Sequence, residues 1–326
     1  MYNTKNTDYR LQLKINDIIT KDLINEYTIL KELGCGAYGN VLKVKHNVNN
    51  KIYALKVFKN KLVYNENADI EIKILKMLNK ELNKNSYVCK FLEEFSFKGS
   101  RIIKLDIYYN NIYCEYTQNN YNIKDITVLS HNICKGLNYL KKNRVIHGDL
   151  KPENILLRNK DSLEVVICDF GLSIIHSNMI PKTNFLIQTI WYRSPEIIFN
   201  FDYNYAIDIW SFGCIIFELV FNNPLFECKK NSILYLLIIE FIGYPNDSYL
   251  DSKEYTYFCK SNWNDLSKGI DLNNKIKMKQ RIDFIKKNNN LNIISTLIYN
   301  TIKWNQNERL TIEECLKLFE INNYLD

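Results

Sequence analysis

Glycine (10) and proline (5) are scarce in this chain of 326 residues, and histidine occurs four times. The four histidines offer little for a histidine-based metal site. Asn, Lys, Ile and Tyr are abundant instead, the pattern that AT-rich codons produce whatever a protein does, so this part of the composition reports on the genome. No apolar run approaches the roughly 18 to 20 residues of a membrane helix; the richest stretch, Ile233 to Ile242, is too short. The polar Met1-to-Arg10 start lacks the apolar segment of a signal peptide. The expectation is therefore a soluble intracellular protein of cytoplasm or nucleus, without a membrane partner. Nine cysteines, an odd number with no Cys-x-x-Cys pair, fit reduced thiols better than a disulfide framework.

What is present describes a folded chain. Its length and 46% apolar content suffice for one large core or two linked ones. Charge sums to +7 (43 basic less 36 acidic), but the lysines are spread among asparagines along the whole length. That scatter does not indicate nucleic-acid binding, and it forms no compact nuclear import signal. No repeat of solenoid spacing occurs, and Lys286 to Asn290 reads as a polar loop.

Strand patterns come first. Tyr27 to Leu33 runs into Gly34-Cys35-Gly36-Ala37-Tyr38-Gly39 and then into Val41 to Val44, so the spacing predicts strand, glycine-rich turn, strand. A third strand covers Tyr53 to Phe58, and Ile70, Ile72, Ile74, Leu75 and Leu78 recur at helical spacings. Further strands are expected at Val88 to Phe97 and Arg101 to Ile107. Helices are expected at Ile126 to Leu140, Asp208 to Val220, Ile233 to Ile242 and Thr311 to Phe319. Strands followed by helices predict two lobes of α+β class.

Gly34-x-Gly36-x-x-Gly39-x-Val41 alone does not distinguish a phosphate-binding loop from a hairpin that needs glycine. A Rossmann fingerprint would open a helix, whereas the residues after Gly39 alternate as a strand, and Tyr53-Ala54-Leu55-Lys56 follows. Three later blocks decide the matter: His147-Gly148-Asp149-Leu150-Lys151-Pro152-Glu153-Asn154, Ile167-Cys168-Asp169-Phe170-Gly171, and Trp191-Tyr192-Arg193-Ser194-Pro195-Glu196. In this order and spacing they resemble the signature set of eukaryotic protein kinases over about residues 27 to 320.

That resemblance implies the bilobal kinase fold, with an N-terminal flank (1–26), an antiparallel small lobe with one main helix (27–106), a larger helical lobe (107–320) and a short end (321–326). The short flanks leave little room for a regulatory domain. ATP and Mg²⁺ are the implied cofactors. Lys56 would hold the α- and β-phosphates, paired with Glu71 in preference to Asp69 or Glu66. Leu33, Gly34, Gly36, Gly39, Val41 and Ala54 would line the ATP site. Leu105 would guard its back, with Asp106 to Tyr108 as the adenine-binding hinge. Asp149 would accept the substrate's hydroxyl proton, Lys151 would neutralise the γ-phosphate, and Asn154 and Asp169 would give oxygen ligands to Mg²⁺. Structural roles are implied for Phe170, Gly171 and Arg193, for a buried Glu196–Arg309 pair, and for Asp208 bonded to the catalytic-loop backbone. His147 reads as a packed core residue alongside Phe170 and Leu75.

Within the kinases, Tyr192-Arg193 before Ser194-Pro195-Glu196 and an insert at about 227–290 resemble the CMGC group. Gly148 in place of the usual Arg, residues 149–157, Ile187-Gln188 and Ile238 to Pro245 resemble its dual-specificity tyrosine-regulated (DYRK) branch. Asp8-Tyr9 resembles the branch's N-terminal flanking motif. The resemblance implies transfer of the ATP γ-phosphate to Ser/Thr of proteins, extending to Tyr in dual-specificity members, with Pro-directed substrates as in CMGC relatives. A monomer is expected.

Three alternatives stay open: a cyclin-dependent-like or splicing-type CMGC kinase, an ATP-binding pseudokinase scaffold, and, far behind, a nucleic-acid-associated protein. The branch autophosphorylates a loop tyrosine, yet no tyrosine lies between Phe170 and Trp191, and Asn184 and Leu186 stand at the Tyr-x-Tyr positions. Gly148 also removes the arginine clamp for a phosphorylated loop. We therefore expect activity without loop phosphorylation, with Thr183 or Thr189 as weaker phosphorylation candidates and Thr189 read first as a structural residue. Mass spectrometry of active protein should find no stoichiometric phosphate at 171–190 on whose presence turnover depends.

Overall fold

Alternation between Ile18 and Leu105 is realised as six strands in a computed structural model that describes residues 9–80, 87–118, 121–176, 187–266, 280, 283, 287 and 292–321. Asp8, Thr183, Asn184, Leu186 and all of the Lys286–Asn290 patch but Lys287 lie outside the described residues. The strands are β1 (Ile18–Thr20), β2 (Glu26–Cys35), β3 (Gly39–His46), β4 (Ile52–Phe58), β5 (Phe91–Phe97) and β6 (Ser100–Leu105). They form one antiparallel sheet in the order β1-β2-β3-β4-β6-β5. With helix α1 (Leu62–Leu78) and the segment Cys168–Ser173 they make the smaller of two units, whose chain otherwise runs to Tyr109.

Because side chains alternate across a strand, the register sorts this sheet into two faces. Leu42 pairs with Leu55 and Val57 with Ile102, and these join Ile19, Tyr27, Ile29 and Val44 in a buried cluster that Leu11 and Leu13 also cover. The other face carries Val41 opposite Lys56, Lys56 opposite Ile103, and Ala54 opposite Leu105. At Gly39 only glycine fits, since a Cβ there would stand 2.0 Å from the Val57 carbonyl oxygen.

The expected strand at Val88 to Phe97 begins later, at Phe91. Asn79, at the end of α1, is the reason: its Nδ2 donates to the Leu75 and Cys89 carbonyls and its Oδ1 accepts from Phe91 N–H. One side chain thus takes backbone groups that a strand partner would otherwise pair. Helix α1 in turn starts eight residues before Ile70, at Leu62-Val63-Tyr64, and runs through the polar Asn65-Glu66-Asn67 before the apolar recurrence begins.

The larger unit is mainly helical: α2 (Ile112–Gln118), α3 (Ile123–Lys142), α4 (Pro195–Ile198), α5 (Ala206–Phe221), α6 (Asn231–Ile242), α7 (Asp247–Leu250), α8 (Lys253–Ser261), α9 (Trp263–Leu266), α10 (Asn292–Thr301) and α11 (Ile312–Ile321). Short strands β7 (Asn110–Asn111), β8 (Val145–Ile146), β9 (Ile155–Leu157), β10 (Val165–Ile167) and β11 (Ile174–Ile175) pair as β10-β9-β7 and β11-β8. Helix α3 outruns its apolar stretch because Asn122 and Asp125 form a reciprocal capping box at its start. Helix α5 is buried from Ile207 through Leu219, as a helix apolar on all sides must be. No helix among the described residues is long and apolar enough to cross a membrane.

Two charges brace this unit. Arg309 Nη1 and Nη2 donate to Glu196 Oε1 at 2.6 Å and Oε2 at 2.7 Å, with both side chains buried. The remaining guanidinium donors reach the Lys303, Ala206 and Trp304 carbonyls, and the guanidinium lies 5.0 Å from the Trp210 ring. Arg309→Ala strands the Glu196 carboxylate and should cost about 3–5 kcal/mol. Urea denaturation should show a smaller loss for the Glu196→Leu/Arg309→Met pair than for Arg309→Ala alone.

Candidate active site

In the smaller unit the chemistry gathers on Lys56. Strand β4 directs it to the face it shares with Val41 and Ala54, and its Nζ donates to Glu71 Oε2 at 2.6 Å, Glu71 Oε1 at 2.8 Å and Asp169 Oδ1 at 2.7 Å. Glu71 comes from α1, is buried, and also accepts the Phe170 backbone N–H. Asp169 adopts a left-handed backbone (φ 65°), uncommon for a residue with a side chain. Phe170 is fully buried, and Gly171 has its carbonyl bonded by Asn67 Nδ2. Asp69 instead pairs with Arg101, and the preference for Glu71 as the partner of Lys56 agrees with that placement.

Burial works to lower the Lys56 ammonium, but Asp169 and Glu71 outweigh it and hold it above the ordinary lysine range. Burial also pushes the Glu71 carboxyl up, against Lys56 and the Phe170 amide, which pull it down. Two short bonds from one ammonium to both carboxylate oxygens are the geometry of an ion pair.

The expected ATP-contacting residues divide between the loop, the sheet face and the segment after β6. Gly34 pairs with Val41 at the end of the β2–β3 hairpin, and Gly36 N–H donates to the Gly39 carbonyl at 2.9 Å, closing the loop; Leu33 is exposed beside it. Leu105 ends β6. Asp106 N–H then donates to the Lys90 carbonyl, Lys90 N–H donates to the Tyr108 hydroxyl, and Asp106 Oδ1 accepts from Ile107 N–H.

In the larger unit Asp149 is the hub. Its Oδ1 accepts from the Thr189 N–H and Oγ1–H, each at 2.7 Å, and its Oδ2 accepts from Lys151 Nζ at 2.7 Å. Lys151 also donates to Thr189 Oγ1 at 3.0 Å. Asn154 Nδ2 donates to the Asp149 carbonyl at 2.8 Å, which leaves its Oδ1, a hard oxygen, as the atom it can offer a cation. His147 is fully buried, and its Nδ1 accepts from Asp149 N–H. Asp208 accepts the N–H groups of His147 (2.7 Å) and Gly148 (3.0 Å). Burial pushes the Asp208 carboxyl up, against the pull of His147 and those two amides.

Residue type alone did not reveal Gln188. It has φ 64°, is buried, and its amide donates to the Ile207 carbonyl and Ser211 Oγ while accepting from the Ser194 N–H and Oγ–H. Its own N–H donates to the Gly148 carbonyl at 2.8 Å. Arg193 Nη2 donates to the Gln188 carbonyl at 2.7 Å, Nε to the Ile187 carbonyl and Nη1 to Asn231. A second unforeseen cluster is Glu218, buried in α5 and bonded by the Tyr192 and Tyr116 hydroxyls. Of the sequence only Ile187-Gln188 hinted at any of this, as a branch resemblance.

A catalytic-loop carboxylate held by a lysine and an asparagine, a separate lysine paired with a helix carboxylate, and an Asp-Phe-Gly segment define a class. The chain belongs to the protein kinase domain family, whose sequence model matches residues 27–318. Its relatives include the dual specificity protein kinase YAK1 of Saccharomyces cerevisiae, 34% identical over 76% of this chain and 30% of the relative. They also include the human dual specificity tyrosine-phosphorylation-regulated kinase 4, 34% identical over 71% of this chain and 45% of the relative. The resemblance to the DYRK branch is met by these relatives. The chain spans less than half the length of each. A crystal structure of a kinase domain superposes with TM-score 0.80 at 25% identity, covering 98% of this chain and 99% of the other.

Lys56→Met leaves Glu71 buried beside an apolar chain and should cost about 3 kcal/mol of stability. In chemical denaturation the Lys56→Met/Glu71→Leu variant should recover part of that loss, as expected for a coupled pair.

Proposed function

We propose that this chain transfers the γ-phosphoryl group of ATP to serine and threonine hydroxyls of proteins. The observation that carries the reading is Asp149, a buried carboxylate whose oxygens are fixed by Thr189 and Lys151. Asp149 orients the incoming hydroxyl and takes its proton as the new O–P bond forms and the bond to the bridging β–γ oxygen breaks. Lys151 neutralises charge on the transferring group, and Lys56, held by Glu71, anchors the α- and β-phosphates.

Asn154 in the larger unit and Asp169 in the smaller each carry an oxygen donor of the kind Mg²⁺ takes. Among the described residues no three His, Cys, Asp or Glu side chains converge into a ready-made metal site. Mg²⁺ is commonly held by one or two protein oxygens together with substrate phosphates. When bound, Mg²⁺ supplies charge neutralisation at the phosphates.

The preferred sequence places proline after the target. Proline has no N–H to satisfy, and the Ile187 and Gln188 carbonyls already accept from Arg193. A loop with its acceptors taken favours a residue that brings no donor. We place the protein inside the cell, in cytoplasm or nucleus, since all nine cysteines are free thiols.

With Mg²⁺ and radiolabelled ATP, wild type should label a Ser-Pro peptide on serine. Asp149→Asn should lower the rate by about 10²- to 10⁴-fold, with ATP affinity retained. Absence of transfer by wild type that binds ATP would overturn the assignment in favour of a scaffold. Arg193→Met should shrink the ratio of kcat/KM for Ser-Pro over Ser-Ala peptides; an unchanged ratio would overturn the account of proline preference.

A further inference from the structure

Residues 9–17 form a strap across the smaller unit, anchored at both ends. Near one end the Tyr9 carbonyl accepts from Asn60 N–H at 2.9 Å, and Lys61 Nζ lies 5.0 Å from the Tyr9 ring. At the other, Asn16 N–H donates to the Ile29 carbonyl and Ile29 N–H to the Asp17 carbonyl. Between them Leu11 and Leu13 seat on the buried cluster of Leu42, Val57 and their neighbours. Arg10 and these two leucines line a small cavity with Asn40, Leu42 and Val57. Alternation along β3 and β4 puts those three residues on the face opposite Val41, Ala54 and Lys56.

From this outer face Arg10 Nη2 donates to the Gly36 carbonyl at 2.9 Å. The loop is closed by the Gly36 N–H bond to the Gly39 carbonyl, and Tyr38 packs on Tyr64, while the Gly36 carbonyl is met by Arg10. Residues 31–37 are exposed, a Cβ at Gly34 would meet nothing within 4 Å, and Lys59 N–H to the Tyr38 carbonyl is a second tether. The direction of the Arg10 bond matters because the Gly36 carbonyl shares a planar trans peptide with the Ala37 N–H, and the two point opposite ways. Drawing the carbonyl toward the strap turns the Ala37 N–H toward the face of Val41, Ala54 and Lys56. Among the described residues that N–H has no acceptor.

We propose that Arg10 is a positioning residue for nucleotide phosphates: from outside the sheet it fixes the Gly36–Ala37 peptide so that the Ala37 N–H faces the phosphate side of the loop. This rests on the reading of the loop as the ATP site. The strap selects for phosphate and leaves the adenosine part of the ligand to the rest of the site. An arginine in the N-terminal flank thereby contributes to nucleotide affinity without touching the nucleotide.

Calorimetric titration with ATP, ADP and adenosine separates this role from general support of the unit. Arg10→Met keeps the length and apolar stem of the side chain and removes its donors. ATP and ADP should bind this variant about fivefold more weakly, the scale of one lost hydrogen bond, with adenosine binding unchanged. Arg10→Lys, which can still donate to a carbonyl, should restore most of the difference. Equal weakening of ATP and adenosine would mark the strap as merely structural and overturn the proposal, as would unchanged ATP binding. Wild type that binds adenosine and ATP alike would instead overturn the reading of the loop as a phosphate site, and this inference with it.

Discussion

A carboxylate removed from water must be met by donors, and this chain buries several where its architecture turns, among them Glu71, Asp149, Glu196, Asp208 and Glu218. Each is satisfied by more than one donor. Glu71 takes Lys56 and the Phe170 amide; Glu196 takes both ends of the Arg309 guanidinium; Asp208 takes two consecutive amides; Glu218 takes two tyrosine hydroxyls. Such contacts contribute modestly as attraction, but leaving one half-made costs several kcal/mol, on the order of 3–5. The chain is thereby confined to arrangements in which all of them close together. Those are also the arrangements that position the chemistry, because Asp208 sets the backbone leading into Asp149, and Glu71 sets Lys56.

Glu218 extends the same constraint toward Arg193. It sits in the buried helix α5, and the Tyr192 hydroxyl that it accepts belongs to the residue before Arg193. Burial pushes the Glu218 carboxyl up while the two tyrosines pull it down. Burial comes first for Tyr192 as well, with Glu218 adding to it, so its hydroxyl keeps its proton throughout the physiological range. The bond thus has a constant donor, and the segment holding Gln188 and Arg193 rests on α5 through Ser211, Ile207 and Glu218 at once.

The sequence made the family legible because its motifs are unusually dense in irreplaceable residue types. Lys56, Asp149, Asn154 and Asp169 each have a chemistry no other residue supplies at that position, so their order identified the kinase class before any geometry. The sheet and main helices were legible from period 2 and period 3.6 patterns, but their ends were not. Asn79 capped the approach to β5 with its side chain, and the capping box at Asn122 extended α3 beyond its apolar stripe; both act through polar atoms to which apolar periodicity is blind. Gln188 was least legible as a structural part. A glutamine with positive φ and an amide bonded on both sides looks, as a letter, like any surface glutamine. The contribution of Arg10 likewise depends on which face of the sheet the strap crosses, a property of register and not of composition.

Gly148 draws these observations together. A residue with φ 76° favours glycine, and here the position carries no guanidinium to await a phosphate. Its carbonyl instead accepts Gln188 N–H, and the next residue, Asp149, accepts both groups of Thr189. The catalytic loop is therefore joined to residues 188–189 by neutral donors and by Lys151, all of which exist as soon as the chain is made. A charge clamp differs in kind: it is complete only once a modification adds the opposite charge. Gln188 supplies the neutral counterpart, since its amide closes the geometry from within by bonding to Ser211, Ile207 and Ser194. The departure from the usual arginine and the glutamine at 188 are two halves of one arrangement, in which bonds of the unmodified side chains and backbone tie Asp149 and Gly148 to residues 188–189.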